Sequence, residues 1–278
     1  MKRFRKIYLE ISNVCNLRCT FCPGTRRPPR FMTAEDFRTL AQKLRGHTRF
    51  LYFHLMGEPL LHPELRTFLS MAGELGFRVI LTTNGTLLPE RQEELLDAPA
   101  LHRVNLSLQA FEANTMPGGL EDYLAGCADF AAGCAASGKL CSLRLWNGGG
   151  AEALNGEIEG FLETRFPKPW RQGRGSTLAE RIFLEYGETF DWPDMAAEDR
   201  GEGCFCHGLR DHVGVLCDGT VVPCCLDHEG DIPLGNLLHE PLEEILQGPR
   251  ARAVYDGFSR RRAAETLCRR CGYARRFG

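Results

Sequence analysis

The sequence predicts an α/β fold: an open, partial (β/α)6 barrel over residues 1–190, followed by a small cysteine-dense domain over residues 191–278. Three observations predict it. Apolar strand-like runs alternate with helix-length segments through the first two-thirds of the chain, which implies parallel βαβ units. Six such runs are present, too few for an eight-unit barrel. From about Gly201 the alternation gives way to closely spaced cysteines.

The predicted strands cover residues 6–12, 50–55, 78–83, 104–108, 140–145 and 181–186. Residues 64–75 have helical amphipathicity, and Gly76 stands where a helix C-cap belongs. Asn84-Gly85 marks a tight turn after the third strand. Pro89 opens the next helix, since proline is tolerated in the first turn. An alanine-rich helix before residue 140 carries Cys127 and Cys134, seven apart and on one face. These two, and Cys141 on the following strand, read as small core residues. Residues 167–203 read as a less regular connector containing Asp191-Trp192-Pro193. Asp218-Gly219 between two alternating apolar runs predicts a hairpin, with a helix over 241–246 beyond it.

Composition narrows the function classes. The chain has 278 residues, 43% apolar and 25% charged, which is the range of a globular protein. No apolar run reaches the length of a membrane span. The first residues are basic, but a strand containing Glu10 follows them rather than an apolar signal core, so a cytoplasmic protein is expected. In that compartment 13 cysteines argue against a disulfide framework. The formal charge of −2 gives no global bias toward nucleic acid or membrane. Arginine clusters at 26, 27 and 30, at 260–262, and at 269, 270, 275 and 276 read first as solvated surface. They read second as an offset to anionic clusters, and third as an RNA-binding surface.

Cys15, Cys19 and Cys22 place three thiolates in eight residues directly after the first strand. Such a set can hold three irons of a cubic cluster and leave the fourth iron open to a substrate. A zinc site would want four ligands in paired units, and the first histidine is only at His47. A disulfide nest is the other alternative. The CxxxCxxC spacing, with Phe21 before the last cysteine, resembles the radical S-adenosylmethionine (SAM) enzymes. That resemblance implies a [4Fe-4S] cluster on Cys15, Cys19 and Cys22 whose open iron binds SAM, and reductive cleavage of SAM to a 5′-deoxyadenosyl radical.

The resemblance extends downstream. Met56-Gly57-Glu58-Pro59 follows the second strand, where ligands gather in parallel sheets. It stands where the family has its GGEP motif, with Met56 in place of the first glycine; this implies contacts from Met56, Gly57 and Glu58 to the SAM amino group. Asn84, Ser107 and Gln109, at the ends of the third and fourth strands, are implied for the SAM ribose and carboxylate. Arg144 on the fifth strand is implied for the methionine carboxylate, and Phe21 for the adenine. His62 reads as a loop-ordering residue and His54 as a strand histidine bonded in the wall.

Cys206, Cys224, Cys268 and Cys271 resemble the SPASM/twitch extension of the same family. Their number implies one auxiliary [4Fe-4S] cluster; a zinc knuckle is the alternative for Cys268-x-x-Cys271. The ligand spacing is similar to that of the family's aminocyclitol dehydrogenase of butirosin biosynthesis. The reading is therefore a radical SAM oxidoreductase that abstracts a substrate hydrogen and oxidises the substrate radical through the auxiliary cluster. Its expected partners are a small-molecule or peptide substrate and a flavodoxin- or ferredoxin-type electron donor, with neither membrane nor nucleic acid. Peptide modification is the runner-up, lowered because the first strand begins by residue 6 and leaves no room for an N-terminal recognition domain. An iron–sulfur electron carrier or a zinc-binding protein is the alternative of another class; it would need neither the Gly-Glu-Pro loop nor a barrel. No general base is assigned: Tyr186, Asp191 and Trp146 lie near strand ends without a distinguishing signal.

Overall fold

The computed structural model describes residues 3–114, 116, 118–173 and 175–277. Its first half runs β1 (Lys6–Leu9), α1 (Ala34–Leu44), β2 (Phe50–Tyr52), α2 (Leu65–Glu74), β3 (Arg78–Thr83), α3 (Leu88–Asp97), β4 (Leu101–Ser107) and α4 (Leu120–Ala136). Then come β5 (Leu140–Gly148), α5 (Asn155–Arg165), β6 (Arg171–Gln172), β7 (Ser176–Ala179) and β8 (Ile182–Glu188). The C-terminal part holds β9 (His212–Val215), β10 (Thr220–Val222), β11 (Gly235–Asn236), α6 (Leu242–Gln247), α7 (Pro249–Ser259) and α8 (Thr266–Arg269).

These strands form one 11-stranded sheet in the order β11-β10-β9-β1-β2-β3-β4-β5-β8-β7-β6. From β9 to β8 neighbouring strands are parallel. Antiparallel strands finish both edges, β10 and β11 on one side, β7 and β6 on the other. Six of the parallel strands are the expected barrel units. The seventh is β9, the first hairpin strand of the cysteine-dense region. It pairs with β1 from Lys6–His212 to Leu9–Val215, so the sheet is continuous across the division expected near residue 190.

The core lies between sheet and helices. Along β1, Ile7 and Leu9 enter that core while Lys6 and Tyr8 take the opposite face. Helix α1 starts where the Thr33 hydroxyl accepts from the Asp36 N–H at 3.0 Å. It then buries Phe37, Leu40, Ala41 and Leu44. Phe37 stacks on Phe68 of α2 at 4.3 Å and meets Phe53 edge-on at 5.6 Å. A ring buried this way contributes about 1.5–3 kcal/mol, more than the propensity of any single helix residue. Cys127, Cys134 and Cys141 are buried in the same core, as expected.

Element edges differ from the sequence reading. β1 and β2 stop at Leu9 and Tyr52, and the residues after them form site loops instead of continuing the ladder. β4 begins three residues earlier than expected, at Leu101, and β5 runs on to Gly148. The connector is partly regular: β7 and β6 fold back antiparallel on β8, over the buried Trp170. The hairpin turn is as expected. Gly219 takes φ +86°, and the Leu216 N–H donates to Thr220 O at 2.9 Å. Among the described residues, no helix is long and apolar enough to cross a membrane.

Candidate active site

A cavity of about 1400 Å³ opens beyond the C-terminal ends of the parallel strands and runs down the lumen to Lys6 and Phe50. Its lining brings together the two cysteine sets, Cys15, Cys19 and Cys22 on one side and Cys206, Cys224, Cys268 and Cys271 on the other. Phe21, Met56, Gly57, Glu58, Asn84, Ser107, Gln109 and Arg144 line the same cavity. Every site residue expected from the sequence therefore faces one space.

The first cysteine loop presents donors to its sulfurs. The Leu17 N–H points at Cys15 Sγ at 3.4 Å. Asn114 Nδ2 donates to Cys19 Sγ at 3.1 Å, and Asn114 Oδ1 accepts from the Arg18 N–H at 3.0 Å. Burial pushes the Cys15 thiol up to about 11, helped by Glu58, Cys19 and Cys22, although the Leu17 N–H works the other way. Such donors stabilise thiolate ligands and tune a cluster's potential.

The Gly-Glu-Pro loop packs directly on the chain leading into that loop. Gly57 has φ +77°, and a Cβ there would meet Ser12 O at 2.5 Å and Val14 O at 2.9 Å. No side chain fits, so glycine is required. The Glu58 N–H donates to Val14 O at 2.8 Å. The Glu58 carboxylate accepts from the N–H groups of Asn84 at 2.8 Å and Leu60 at 3.0 Å. Burial nevertheless pushes this carboxyl up to about 7, against those bonds and the Thr83 hydroxyl.

Beneath both loops lies a buried ion pair that sequence reasoning missed. Arg27 grips Glu10 with two nitrogens, at 2.8 and 2.7 Å. Glu10 also accepts from the Met56 N–H at 3.3 Å and the Cys217 N–H at 3.2 Å. Arg27 Nε donates to His228 O at 2.8 Å. One carboxylate thus joins β1, the first cysteine loop, the Gly-Glu-Pro loop and the C-terminal hairpin. Arg27 is therefore not solvated surface. Its neighbours Arg26 and Arg30 are exposed, pairing with Glu229 and Asp36. The signal in the sequence was Glu10 itself, a charge inside an apolar strand.

The C-terminal cysteines form a second group. Cys224 is pushed well up by burial, then by the thiols of Cys206, Cys225, Cys268 and Cys271. Cys268 is pushed up by burial, then by Cys206, Cys271 and Cys204 in that order. The Gly208 N–H donates to Cys206 Sγ at 3.4 Å. Cys225 lies near the same group and also takes a hydrogen bond from the Tyr8 hydroxyl. Cys217 is buried in the core. The connector straps the two groups together. Trp192 Nε1 donates to Phe21 O at 3.0 Å, and the Gly272 N–H to Asp191 O at 3.1 Å.

Three expected residues have particular surroundings. Arg144 lies over the Trp146 ring at 4.3 Å, and its Nε is taken by Glu185 at 3.2 Å. His62 orders its loop as expected, bonding Met32 O at 3.0 Å and accepting from the Glu64 N–H at 3.1 Å. His54 corrects the reading. Among the described residues its Nδ1 is buried without a partner, and its ring packs edge-on against Tyr8 at 5.2 Å.

The donor sets fit iron–sulfur clusters and SAM. Two groups of thiols whose pKa values burial raises face a shared cavity. Gln109 Oε1, which lines the same cavity, is buried without a hydrogen-bond partner among the described residues. Among the described residues no three His, Cys, Asp or Glu groups form a site for one metal ion.

Comparison with known proteins agrees. Residues 9–130 match the Radical SAM superfamily, and residues 204–272 match the SPASM iron–sulfur cluster-binding domain. The chain thus carries a radical SAM domain followed by a C-terminal SPASM iron–sulfur domain, and the cofactors these domains take are SAM and iron–sulfur clusters. It is 30% identical over 131 residues to the AdoMet-dependent heme synthase of Methanosarcina barkeri, covering 44% of this chain and 38% of that protein. It is 30% identical over 132 residues to the SAM-dependent 2-deoxy-scyllo-inosamine dehydrogenase of Niallia circulans, covering 45% and 52%. These matches span about half or less of each relative. The fold is similar to that of BtrN in complex with AdoMet and 2-DOIA (TM-score 0.61, 17% identity, 98% of this chain and 94% of that chain). It is also similar to that of Streptococcus suis SuiB bound to precursor peptide SuiA (TM-score 0.66, 16% identity, 98% and 70%).

Proposed function

We propose that this chain oxidises a small-molecule substrate by removing a hydrogen atom and then an electron. Cys15, Cys19 and Cys22 would hold the SAM-binding [4Fe-4S] cluster, and Cys206, Cys224, Cys268 and Cys271 one auxiliary [4Fe-4S] cluster, in a domain beginning near residue 191. When bound, the reduced cluster and SAM supply a 5′-deoxyadenosyl radical as hydrogen-atom acceptor, and the auxiliary cluster supplies an electron acceptor. A flavodoxin- or ferredoxin-type protein would deliver the first electron.

The observation that carries this reading is the single cavity lined by both cysteine sets. The chain's own residues prepare it. Met56 and Gly57 would offer backbone carbonyls, and Glu58 its carboxylate, to the SAM amino group. Asn84, Ser107 and Gln109 would meet the ribose and carboxylate, and Phe21 the adenine. Arg144 would reach the methionine carboxylate with the nitrogens that Glu185 leaves free. Trp192, which lines the cavity, ties the connector to the first cysteine loop through Phe21 O.

The test is anaerobic. Dithionite-reduced protein should convert SAM to 5′-deoxyadenosine and methionine slowly without substrate, and Cys19→Ala should abolish this while remaining soluble. Unchanged turnover in Cys19→Ala would remove the triad from the account.

A further inference from the structure

We propose that the floor of the cavity is an anion-binding subsite built on Lys6, which receives a carboxylate or phosphate group of the substrate. This deepens the functional reading above and rests on it. Tyr8 is the centre of the arrangement. Its ring lies 5.2 Å from Tyr52, 5.2 Å from His54 and 5.7 Å from His212. The Lys6 ammonium stands over two of these rings, 5.0 Å from Tyr8 and 5.2 Å from Tyr52. Lys6 and Tyr8 share a face of β1, with Tyr52 on β2 at one side and His212 on β9 at the other. All of them line the cavity, as does Arg144.

The nearby negative charges are already committed. Against burial, Lys6 is acted on first by Cys225, which is engaged by the Tyr8 hydroxyl, and then by Asp211, which is held by His207 at 3.0 Å and Arg5 at 3.9 Å. Glu185 is held by Arg144 at 3.2 Å and Arg103 at 3.3 Å. His54 brings no charge: burial, then Arg144 and Lys6, hold its pKa down to about 3. Among the described residues no ion pair or hydrogen bond occupies the Lys6 ammonium; two ring faces are what it has.

Magnitudes decide what this means. Lys6 is half-buried, and contact with two ring faces returns less than the hydration its ammonium gives up. Two tyrosine faces leave Lys6 under-solvated, in keeping with the downward shift that burial imposes on it. An anionic ligand supplies the missing partner. A cationic amine would instead meet the like charge of Lys6. The substrate is therefore an anion at the end that enters first.

Equilibrium dialysis of the full-length, cluster-loaded chain with SAM present tests this. The probes are labelled pyrophosphate, labelled succinate and, as a cationic comparator, an aminocyclitol. One of the two anions should bind at one equivalent, and which one binds separates a phosphate from a carboxylate substrate. Lys6→Met should weaken that binding at least about tenfold, and Lys6→Arg should hold it within about threefold. Iron content serves as the folding control, with Lys6→Gln as the second neutral variant if Lys6→Met loses iron. The proposal is overturned if neither anion binds, if neutral variants with full iron bind as well as the native chain, or if the aminocyclitol binds more tightly than both anions. Substrate-free SAM cleavage by the native chain is read separately. A chain that cleaves SAM but binds no anion keeps the function and loses the subsite. One that binds anions through Lys6 but leaves SAM intact does the reverse.

Discussion

Glu10 and Arg27 are 17 residues apart, and their pair is nearly sealed from solvent, with side-chain exposures of 0% and 14%. Buried pairs of this kind are costly to break from one side, because the remaining charge is stranded. Glu10→Gln should therefore destabilise the chain by about 3–5 kcal/mol, read as an anaerobic shift in the denaturation midpoint. Adding Arg27→Met should recover part of the loss; a double variant worse than the sum would deny the pair its structural role. Glu58 gives a pH signature. Its folded pKa, about 7, lies above the ordinary carboxylate value because of burial. The unfolded chain then releases this proton first, so Glu58's contribution to stability falls as pH rises from about 4.5 to 7 and is level beyond. Glu58→Gln should flatten that slope; an unchanged slope would mean that another group causes it. These two carboxylates differ in legibility. Glu58 sits in a recognisable motif. Glu10 was visible only as a charge in an apolar strand, and nothing in the sequence pointed to its partner.

At the scale of elements, the auxiliary cysteines flank the hairpin β9–β10, Cys206 before it and Cys224 after it, with Cys268 in α8 and Cys271 just beyond. Cys224 and Cys225 follow β10; Cys224 is acted on by Cys206, Cys268 and Cys271, whereas Cys225 is engaged first by the Tyr8 hydroxyl. Cys217, on the hairpin, is in the core beside Glu10. Cys206→Ala, Cys224→Ala, Cys268→Ala and Cys271→Ala should each lose about one cluster of iron, roughly four atoms. Cys204→Ala, Cys217→Ala and Cys225→Ala should keep it, and SAM cleavage should persist wherever the fold survives. Full iron in Cys206→Ala, with loss in Cys204→Ala, would move the register by two residues. The hairpin was readable because Asp218-Gly219 satisfies a local backbone requirement. The strand ends were not, since β1 and β2 stop where their residues are drawn into loops by partners far along the chain.

For the whole molecule, the consequential contact is β9 on β1. It completes the sheet and brings the second cysteine group over the same cavity as the first. A chain truncated after residue 200 would leave β1 as an exposed sheet edge and uncover Ile7, Leu9 and their neighbours. Such a truncation should aggregate on expression. A soluble, monomeric product by gel filtration would show that residues 1–200 close their own edge.

The sequence by itself determined the alternating α/β architecture, the two cysteine groups, the Gly-Glu-Pro loop and the polar strand ends. Each of these is a local pattern: a hydrophobic period, a ligand spacing, a turn residue or a motif in fixed order. Only the tertiary structure decided that both cysteine groups share a cavity, that Glu10 is bound by Arg27, that His54 Nδ1 lacks a partner among the described residues, and that Lys6 faces the lumen between two tyrosines. Those facts depend on which distant strands lie side by side. Pairing β9 with β1 is favoured by the summed burial of many side chains, and no single residue in either strand announces it.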